Sequence, residues 1–427
     1  MTAKTIIKMP YHKTHMDIEV ETEKLNGILA PRTDEYDPKM TQEKIVLNSL
    51  ASPIGTKKLC DLARGKKKVV FITSDHTRPL PSRVTVPIIL EEIRRYNPEA
   101  DITILISTGF HRPTTREELI YKMGEEVVNN EKIVNHISTN DDDQVYVGKL
   151  PSGGDLYLNK LAMEADLLIA EGFIESHFFA GFSGGRKSIL PGIASAKTIM
   201  YNHNSKFINS KNARTGKLEN NPIHQDMIYA ARASKCAFIL NTVINSEKEI
   251  IGCFTGDIID AHLEGCKFVE ELVSVEKKPA DITVTSNGGY PLDQNIYQTV
   301  KGLTAAEASA KEGGVLITIS SCSDGHGGEG FYRYVSEARD ANEILEKVMQ
   351  IPMEDTLPDQ WEFHILARIL SKFHVIIVTD LCDPKMIEDM HMQHASTFEE
   401  ALEKARKITG DDYTMTVIPD GVSVVVK

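Results

Sequence analysis

The 427-residue sequence contains a single tryptophan, and its aromatic residues amount to only 7%. Its six cysteines, at 60, 236, 253, 266, 322 and 382, include no C-x-x-C pair. Zinc-ribbon spacing is therefore absent, and the thiols read as small core residues of a reducing compartment. A basic surplus is lacking too: 61 acidic against 48 basic residues leave a net charge of -13. That balance excludes a protein held to a phosphate backbone by a basic stripe. The one dense basic run, Lys66-Lys67-Lys68, precedes an apolar segment and reads as a solvated turn. No apolar run approaches the roughly 18 residues of a membrane helix, and Met1-Thr2-Ala3-Lys4-Thr5 has no leader-like apolar stretch behind its charge. The expectation is a soluble cytoplasmic protein that binds neither nucleic acid nor membrane.

What is present is an ordinary globular balance of 41% apolar and 26% charged residues, in a chain long enough for two or three domains. Short β-branched runs at 69–73, 102–107, 165–170, 237–243, 282–285, 315–319 and 375–379 alternate with helical patterns, as buried parallel strands do. Three of them follow the same Ala-Asp pair, at Ala100-Asp101, Ala165-Asp166 and Ala280-Asp281, which suggests a recurring βα unit. Thr115 with Glu118 forms a capping box, Asp293 is placed to cap a helix reaching Lys301, and Pro87 to open one through Ile93. The charged stretch Glu276-Lys277-Lys278-Pro279 divides the chain. These patterns predict an α/β protein of two domains, 1–275 and 280–427, each with a mainly parallel sheet and flanking helices. A terminal hairpin at about 412–427, around Pro419-Asp420-Gly421, would join either domain.

Ligands of open α/β sheets bind beyond the carboxyl ends of the strands. The segments Ser74 to Pro79, Thr108 to Pro113, Glu171 to His177 and Ser286 to Tyr290 all follow expected strands, so they should converge on one composite site. Within it His111 and His177 occupy equivalent positions on Gly-containing loops. They are the acid/base candidates, because imidazole changes protonation near neutral pH. His76, His391 and His394 lack that context and read as surface or packing residues. Arg78 and Lys301 are candidates for an anion clamp, one as a fork and one as a point charge. Tyr297 and Lys301 share a helical face, with Gln298 at its edge.

The densest signal is Gly181-Phe182-Ser183-Gly184-Gly185-Arg186-Lys187-Ser188. It nearly matches a nucleotide-binding G-x-x-x-x-G-K-[ST] loop, but Arg186 stands where the last glycine belongs and Pro191 interrupts the helix that would follow. A triphosphatase is disfavoured. What remains is a phosphate or cofactor loop of Gly184, Gly185, Arg186 and Lys187, whose lysine reacts covalently if desolvated. His203 has no second ligand-type residue at metal-site spacing, so a metal there would take most of its ligands from something other than protein.

Together these segments resemble the nickel-dependent lactate racemase family. The carriers are Ser-Asp-His-Thr-Arg-Pro at 74–79, Thr-Gly-Phe-His-Arg-Pro at 108–113, the stretch Glu171 to Gly192, His203, and Tyr297-Gln298 with Lys301. Trp361 falls where the family has an aromatic near its substrate, and the resemblance covers nearly the whole chain. It implies an active site in the interdomain cleft with a nickel pincer nucleotide, a pyridinium mononucleotide bearing two sulfur-containing arms. It further implies that Lys187 tethers this cofactor through a thioamide and that His203 is the protein ligand of nickel. One of His111 and His177 would take the 2-hydroxyl proton as hydride leaves Cα, the other serving the opposite enantiomer. Arg78 and Lys301 would bind the substrate carboxylate and polarise the oxygen, with Tyr297, Gln298 and Trp361 in support, and Arg78 would also contact the cofactor. Asp75 would orient Arg78, contact the cofactor or cap its strand. The implied activity is racemisation of lactate or a closely related small 2-hydroxy acid. Alternatives are the same chemistry on malate, an aromatic or a longer aliphatic acid, and a non-catalytic phosphate or nucleotide binder. Cofactor-synthesis enzymes would be maturation partners, and the oligomeric state is left open.

Overall fold

The computed structural model describes residues 3–427; Met1 and Thr2, at the head of the segment read for a leader, lie outside the described residues. The expected β-branched runs form the strands Lys68–Ser74, Asp101–Ser107, Leu167–Phe173, Phe238–Ile244, Ala280–Ser286, Ala310–Ile319 and His374–Val378. Their central residues are buried without alternation, because both faces of each sheet are covered, by helices in the first and by helices and a β-hairpin in the second.

The first sheet has six strands, in the spatial order Ile250–Gly256, Phe238–Ile244, Leu167–Phe173, Lys68–Ser74, Asp101–Ser107, Lys132–Asn135, parallel except for the Ile250–Gly256 edge. Chain order reverses between Leu167–Phe173 and Lys68–Ser74, and that reversal opens a crevice beyond their carboxyl ends. The second sheet, also six-stranded and wholly parallel, runs Gln393–Ala395, His374–Val378, Ala310–Ile319, Ala280–Ser286, Met415–Ile418, Leu25–Ile28. It reverses between Ala280–Ser286 and Met415–Ile418. Ser176 Oγ donates to the Val422 carbonyl at 2.9 Å, so the two reversal points face each other.

Four local expectations meet different outcomes. Thr115 and Glu118 do form the capping box of the Arg116–Met123 helix. Asn295, not Asp293, caps the Ile296–Ser309 helix, because the buried Asp293 carboxylate instead accepts the amides of His12 and Ser321. Pro87 lies inside the Ser82–Arg94 helix, which Pro81 opens from a non-helical conformation. The terminal segment is not a hairpin. Met415–Ile418 runs parallel in the second sheet, and Val425–Val426 pairs in parallel with Ser274–Val275. The Pro419-Asp420-Gly421 turn is tied to Ser286, whose hydroxyl donates to the Pro419 carbonyl and whose carbonyl accepts the Gly421 amide. The chain is thereby led across to the first domain instead of doubling back.

The N-terminal hairpin of Lys4–Tyr11 and Thr14–Glu21 packs Ile7, Met9, Tyr11, Ile18 and Val20 on Ile282, Val284, Val315 and Ile317. With the Leu25–Ile28 edge strand, residues 4–28 thus lie with the second sheet, across the division expected at 275–280. One apolar cluster runs from Ile72 and Ala170 of the first sheet through Phe178, Ile189 and Leu303 to Leu316 and Ile377 of the second. Each such buried aliphatic contributes about 1.5–3 kcal/mol, so the walls of the cleft are held by a shared core. Cys236 and Cys322 are buried free thiols within this packing, and Cys60 and Cys266 are buried free thiols outside it. No helix among the described residues is long and apolar enough to cross a membrane.

Candidate active site

Strands Lys68–Ser74 and Asp101–Ser107 pair with Ser74 opposite Ser107, which delivers Asp75 and His111 to adjacent strand ends. Asp75 is only 2% exposed. Its Oδ1 accepts the Thr77 amide at 3.1 Å and the Thr77 hydroxyl at 2.7 Å, and its Oδ2 lies 2.6 Å from His111 Nδ1. Burial pushes the Asp75 carboxyl up, but the hydrogen bond and charge of His111, with Arg78 and Thr77, outweigh it and hold the carboxyl at about 2. An ionised carboxylate requires Nδ1–H, so whenever His111 is neutral its lone pair sits on Nε2. Of the roles considered for Asp75, orienting a histidine was not among them. The buried Lys122 supports the same loop, donating to Ser74 Oγ at 3.1 Å and to the Arg78 carbonyl at 3.4 Å.

Beyond Leu167–Phe173, a short ladder of Ser176–His177 with Gly181–Phe182 folds the chain back on itself. His177 Nε2 and Lys187 Nζ meet at 3.1 Å. The return is tight enough to demand glycine: at φ +74° a Cβ on Gly184 would sit 2.9 Å from the Phe173 carbonyl, and one on Gly185 2.5 Å from the His262 ring. A single 3-10 turn, Gly185–Ser188, stands where a nucleotide-binding loop would start its helix.

Arg186, expected to face a cofactor, and Arg112 of the Thr108 to Pro113 loop are turned away from the cleft. Arg186 is 0% exposed, and its guanidinium donates to the carbonyls of Phe182 and Ala180 at 2.8 Å each and to His224 Nδ1 at 3.0 Å. It staples the loop from inside, because a buried guanidinium must satisfy its five donors and the loop carbonyls are the acceptors within reach. Arg112 forms a fork with Glu118, at 2.9 and 2.6 Å. Arg78, Lys187 and Lys301 remain, and they act on one another. Burial, then Arg186, Arg78 and Lys301, push Lys187 well below its usual value. Burial, then Lys187, Lys301 and Arg78, do the same to His177. Glu175 shares this pocket: burial raises its carboxyl, opposed by Arg78, Lys301 and Lys187.

The opposite wall comes from the second domain. The Ile296–Ser309 helix brings Tyr297 and Lys301, whose Nζ donates to Gln298 Oε1 at 2.5 Å and stands 6.0 Å from the Phe178 ring centre. Tyr297 donates to Asp359 Oδ1 at 3.2 Å. The Gln360–Leu370 helix sets Trp361 edge-on to His203, with ring centres 5.2 Å apart, and Gln360 Nε2 donates to Ser205 Oγ at 2.8 Å. Glu362, 1% exposed, has no hydrogen-bond partner for either carboxyl oxygen. Burial raises that carboxyl and Lys301 opposes the rise.

His203 ends the Ala196–Asn202 helix between Phe179 and Trp361, with ring centres 5.2 Å from each. Its Nδ1 donates to the Ile199 carbonyl at 3.0 Å, which leaves the lone pair on Nε2, the state in which imidazole ligates a metal. Burial, then Lys187, lower it to about 3, so it is neutral at physiological pH. Among the described residues no group of three or more His, Cys, Asp or Glu is placed to hold a metal. The donor set therefore fits a metal whose other ligands come from an organic group.

Sequence models of the lactate racemase N-terminal and C-terminal domains match residues 11–216 and 275–426. The chain belongs to the lactate racemase family. The lactate racemases of Thermoanaerobacterium thermosaccharolyticum and Lactiplantibacillus plantarum are each 55% identical to it over 421 residues, 99% of this chain and 99% of theirs. The solved lactate racemase apoprotein of Thermoanaerobacterium thermosaccharolyticum superposes with a TM-score of 0.96, covering 99% of this chain and 100% of that one. A Thermotoga maritima protein at 19% identity, with a TM-score of 0.65, shares the fold alone. Lactate racemase membership implies a nickel-dependent isomerase, and the lone neutral His203 has the chemistry that a nickel ligand needs.

Proposed function

We propose that the protein interconverts D- and L-lactate in the cleft between its two sheets. The observation that carries this reading is a pair of histidines in complementary states, beyond the carboxyl ends of the two strands that flank Lys68–Ser74. His111, backed by Asp75, offers a lone pair at Nε2. His177, whose Nδ1 accepts the amides of Phe179 and Ala180, carries its proton at Nε2. Racemisation needs a base for one enantiomer's hydroxyl and an acid for the other's, each reversing role in the reverse direction.

Arg78 and Lys301 hold the substrate carboxylate, with Lys301 moving from Gln298 to the anion. Gln298 and Tyr297 steady that lysine's surroundings, while Trp361 and Phe178 exclude water from the reacting carbon. Lys187 tethers a nickel pincer nucleotide and His203 ligates its metal, with Gly184 and Gly185 giving the loop its shape and Asp75 acting through His111. When bound, that group supplies an acceptor and donor of the Cα hydrogen as hydride. The same reading includes a cytoplasmic location and maturation by cofactor-synthesis enzymes.

The test is protein co-produced with cofactor-synthesis enzymes. Intact mass should show an adduct and metal analysis should show nickel. Lys187→Ala should abolish the adduct, while His203→Ala should keep the adduct and lose nickel. A loaded wild-type protein with neither adduct nor nickel counts against the reading.

A further inference from the structure

Lys187 Nζ and His177 Nε2 lie 3.1 Å apart, and the other ring nitrogen settles which of them donates. His177 Nδ1 accepts the backbone amides of Phe179 at 3.5 Å and Ala180 at 3.3 Å, so it carries no proton. The neutral ring then holds its proton on Nε2. Two donors do not face each other at hydrogen-bond distance, so Lys187 is the acceptor, and an ammonium has no lone pair with which to accept. The surrounding charges agree. Arg186 on the same loop, Arg78 from the Lys68–Ser74 strand end and Lys301 from the second domain all oppose a charge on Lys187, while Glu175 attracts one. His177 faces the same three cations.

We propose that His177 has a second task before the cofactor arrives: its Nε2–H holds Lys187 as the free-base nucleophile that is acylated, and acylation in turn releases His177 to the substrate. The proposal deepens the tether described above and rests on that reading for the acyl donor, a thiocarboxylic or similarly activated acyl group. The lone pair of Nζ forms the bond to the acyl carbon. The hydrogen bond from His177 opens as that lone pair turns to the carbon; the carboxyl oxygen departs with the electron pair of its own bond to that carbon, takes the proton that nitrogen loses together with the thioacid's own proton, and leaves as water, so sulfur stays in the thioamide. An amide-type nitrogen has a delocalised lone pair and accepts no hydrogen bond. The Nε2–H of His177 therefore loses its partner and is free to face the cleft. Tethering and the arming of one acid/base residue are one event.

The experiment uses apo-protein, made without cofactor-synthesis enzymes, and N-hydroxysuccinimidyl acetate, which transfers acetyl to a free amine and releases N-hydroxysuccinimide. Site-resolved mass spectrometry gives the acetylation rate of Lys187 and of Lys197, whose side chain is 75% exposed. The ratio of each lysine's rate at about pH 7 to its own rate at about pH 10 cancels differences in access. That ratio should be at least ~10-fold larger for Lys187 than for Lys197. His177→Phe, which removes the donor, should lower it toward the value for Lys197, and His177→Gln, which keeps an N–H, should preserve most of it. Equal ratios for Lys187 and Lys197 in the wild type, or an unchanged ratio in His177→Phe, overturn the proposal. The wild-type comparison stands even if a variant fails to fold. Because the labelling uses neither nickel nor nucleotide, its failure leaves the racemase reading to its own mass and metal test.

Discussion

The carboxylate of Asp75 and the imidazole of His111 meet at 2.6 Å from neighbouring strands held in register. On the proposed mechanism the pair fixes the tautomer of a general base, so Asp75→Asn should lower racemisation by about 100-fold or more, with a smaller change in KM. It should also alter acid stability. The folded carboxyl sits at about 2, below an unfolded value near ~3.9. Its stabilisation, roughly 2 kcal/mol, is present above the unfolded value and lost as pH falls through the folded one. Urea unfolding of Asp75→Asn should therefore show a shallower loss of stability across that acid window than the wild type.

Arg186 is a staple inside the loop and not the cofactor-facing cation expected from the sequence, and the two roles predict different variants. Arg186→Lys keeps the charge but cannot reach the carbonyls of Ala180 and Phe182 together with His224. It should lose about 2–4 kcal/mol of stability and retain less cofactor adduct. A variant with wild-type stability that only retains less adduct would assign Arg186 to the cofactor instead.

Lys301→Ala should raise KM for lactate by roughly 10- to 100-fold while the mass adduct on Lys187 persists. Loss of the adduct in that variant would move Lys301 from substrate to cofactor binding.

Glu362 pairs with Lys301 electrostatically yet has no hydrogen bond of its own. A carboxyl raised by burial stabilises the fold below its unfolded value, near ~4.3, and loses that contribution as pH rises through its folded value. Glu362→Gln keeps the shape without the ionisation. Its melting temperature relative to wild type should therefore increase by about 2 °C on going from mildly acidic to mildly alkaline buffer. A constant difference across that range would contradict the assignment.

The seven buried strands were legible because a parallel sheet covered on both faces writes unbroken β-branched runs into the sequence. The site was legible for the same reason, since His111, His177, Arg78 and Lys187 follow strand ends. The edges were not. Leu25–Ile28 alternates in burial and carries a glycine, so it reads as loop. A charge in a sequence also says nothing of its direction: Arg186 beside Lys187 looked like a second cleft cation, and only the folded loop turns it inward. Asp293 and Asn295 are both good caps two residues apart, and contact with the N-terminal hairpin decides between them. Glu362, in the first turn of its helix, looks like an ordinary complement to the helix dipole; nothing short of the fold reveals that it is buried beside Lys301.

On the proposed mechanism the two histidines move only the hydroxyl proton, while the Cα hydrogen never exchanges with water. Enantiopure L-lactate incubated with loaded protein in deuterium oxide, followed by chiral separation and proton NMR, tests it most directly. Equal amounts of the two enantiomers are expected, both retaining hydrogen at Cα. Deuterium at Cα of the newly formed enantiomer, or L-lactate left unchanged by protein that carries adduct and nickel, would contradict it.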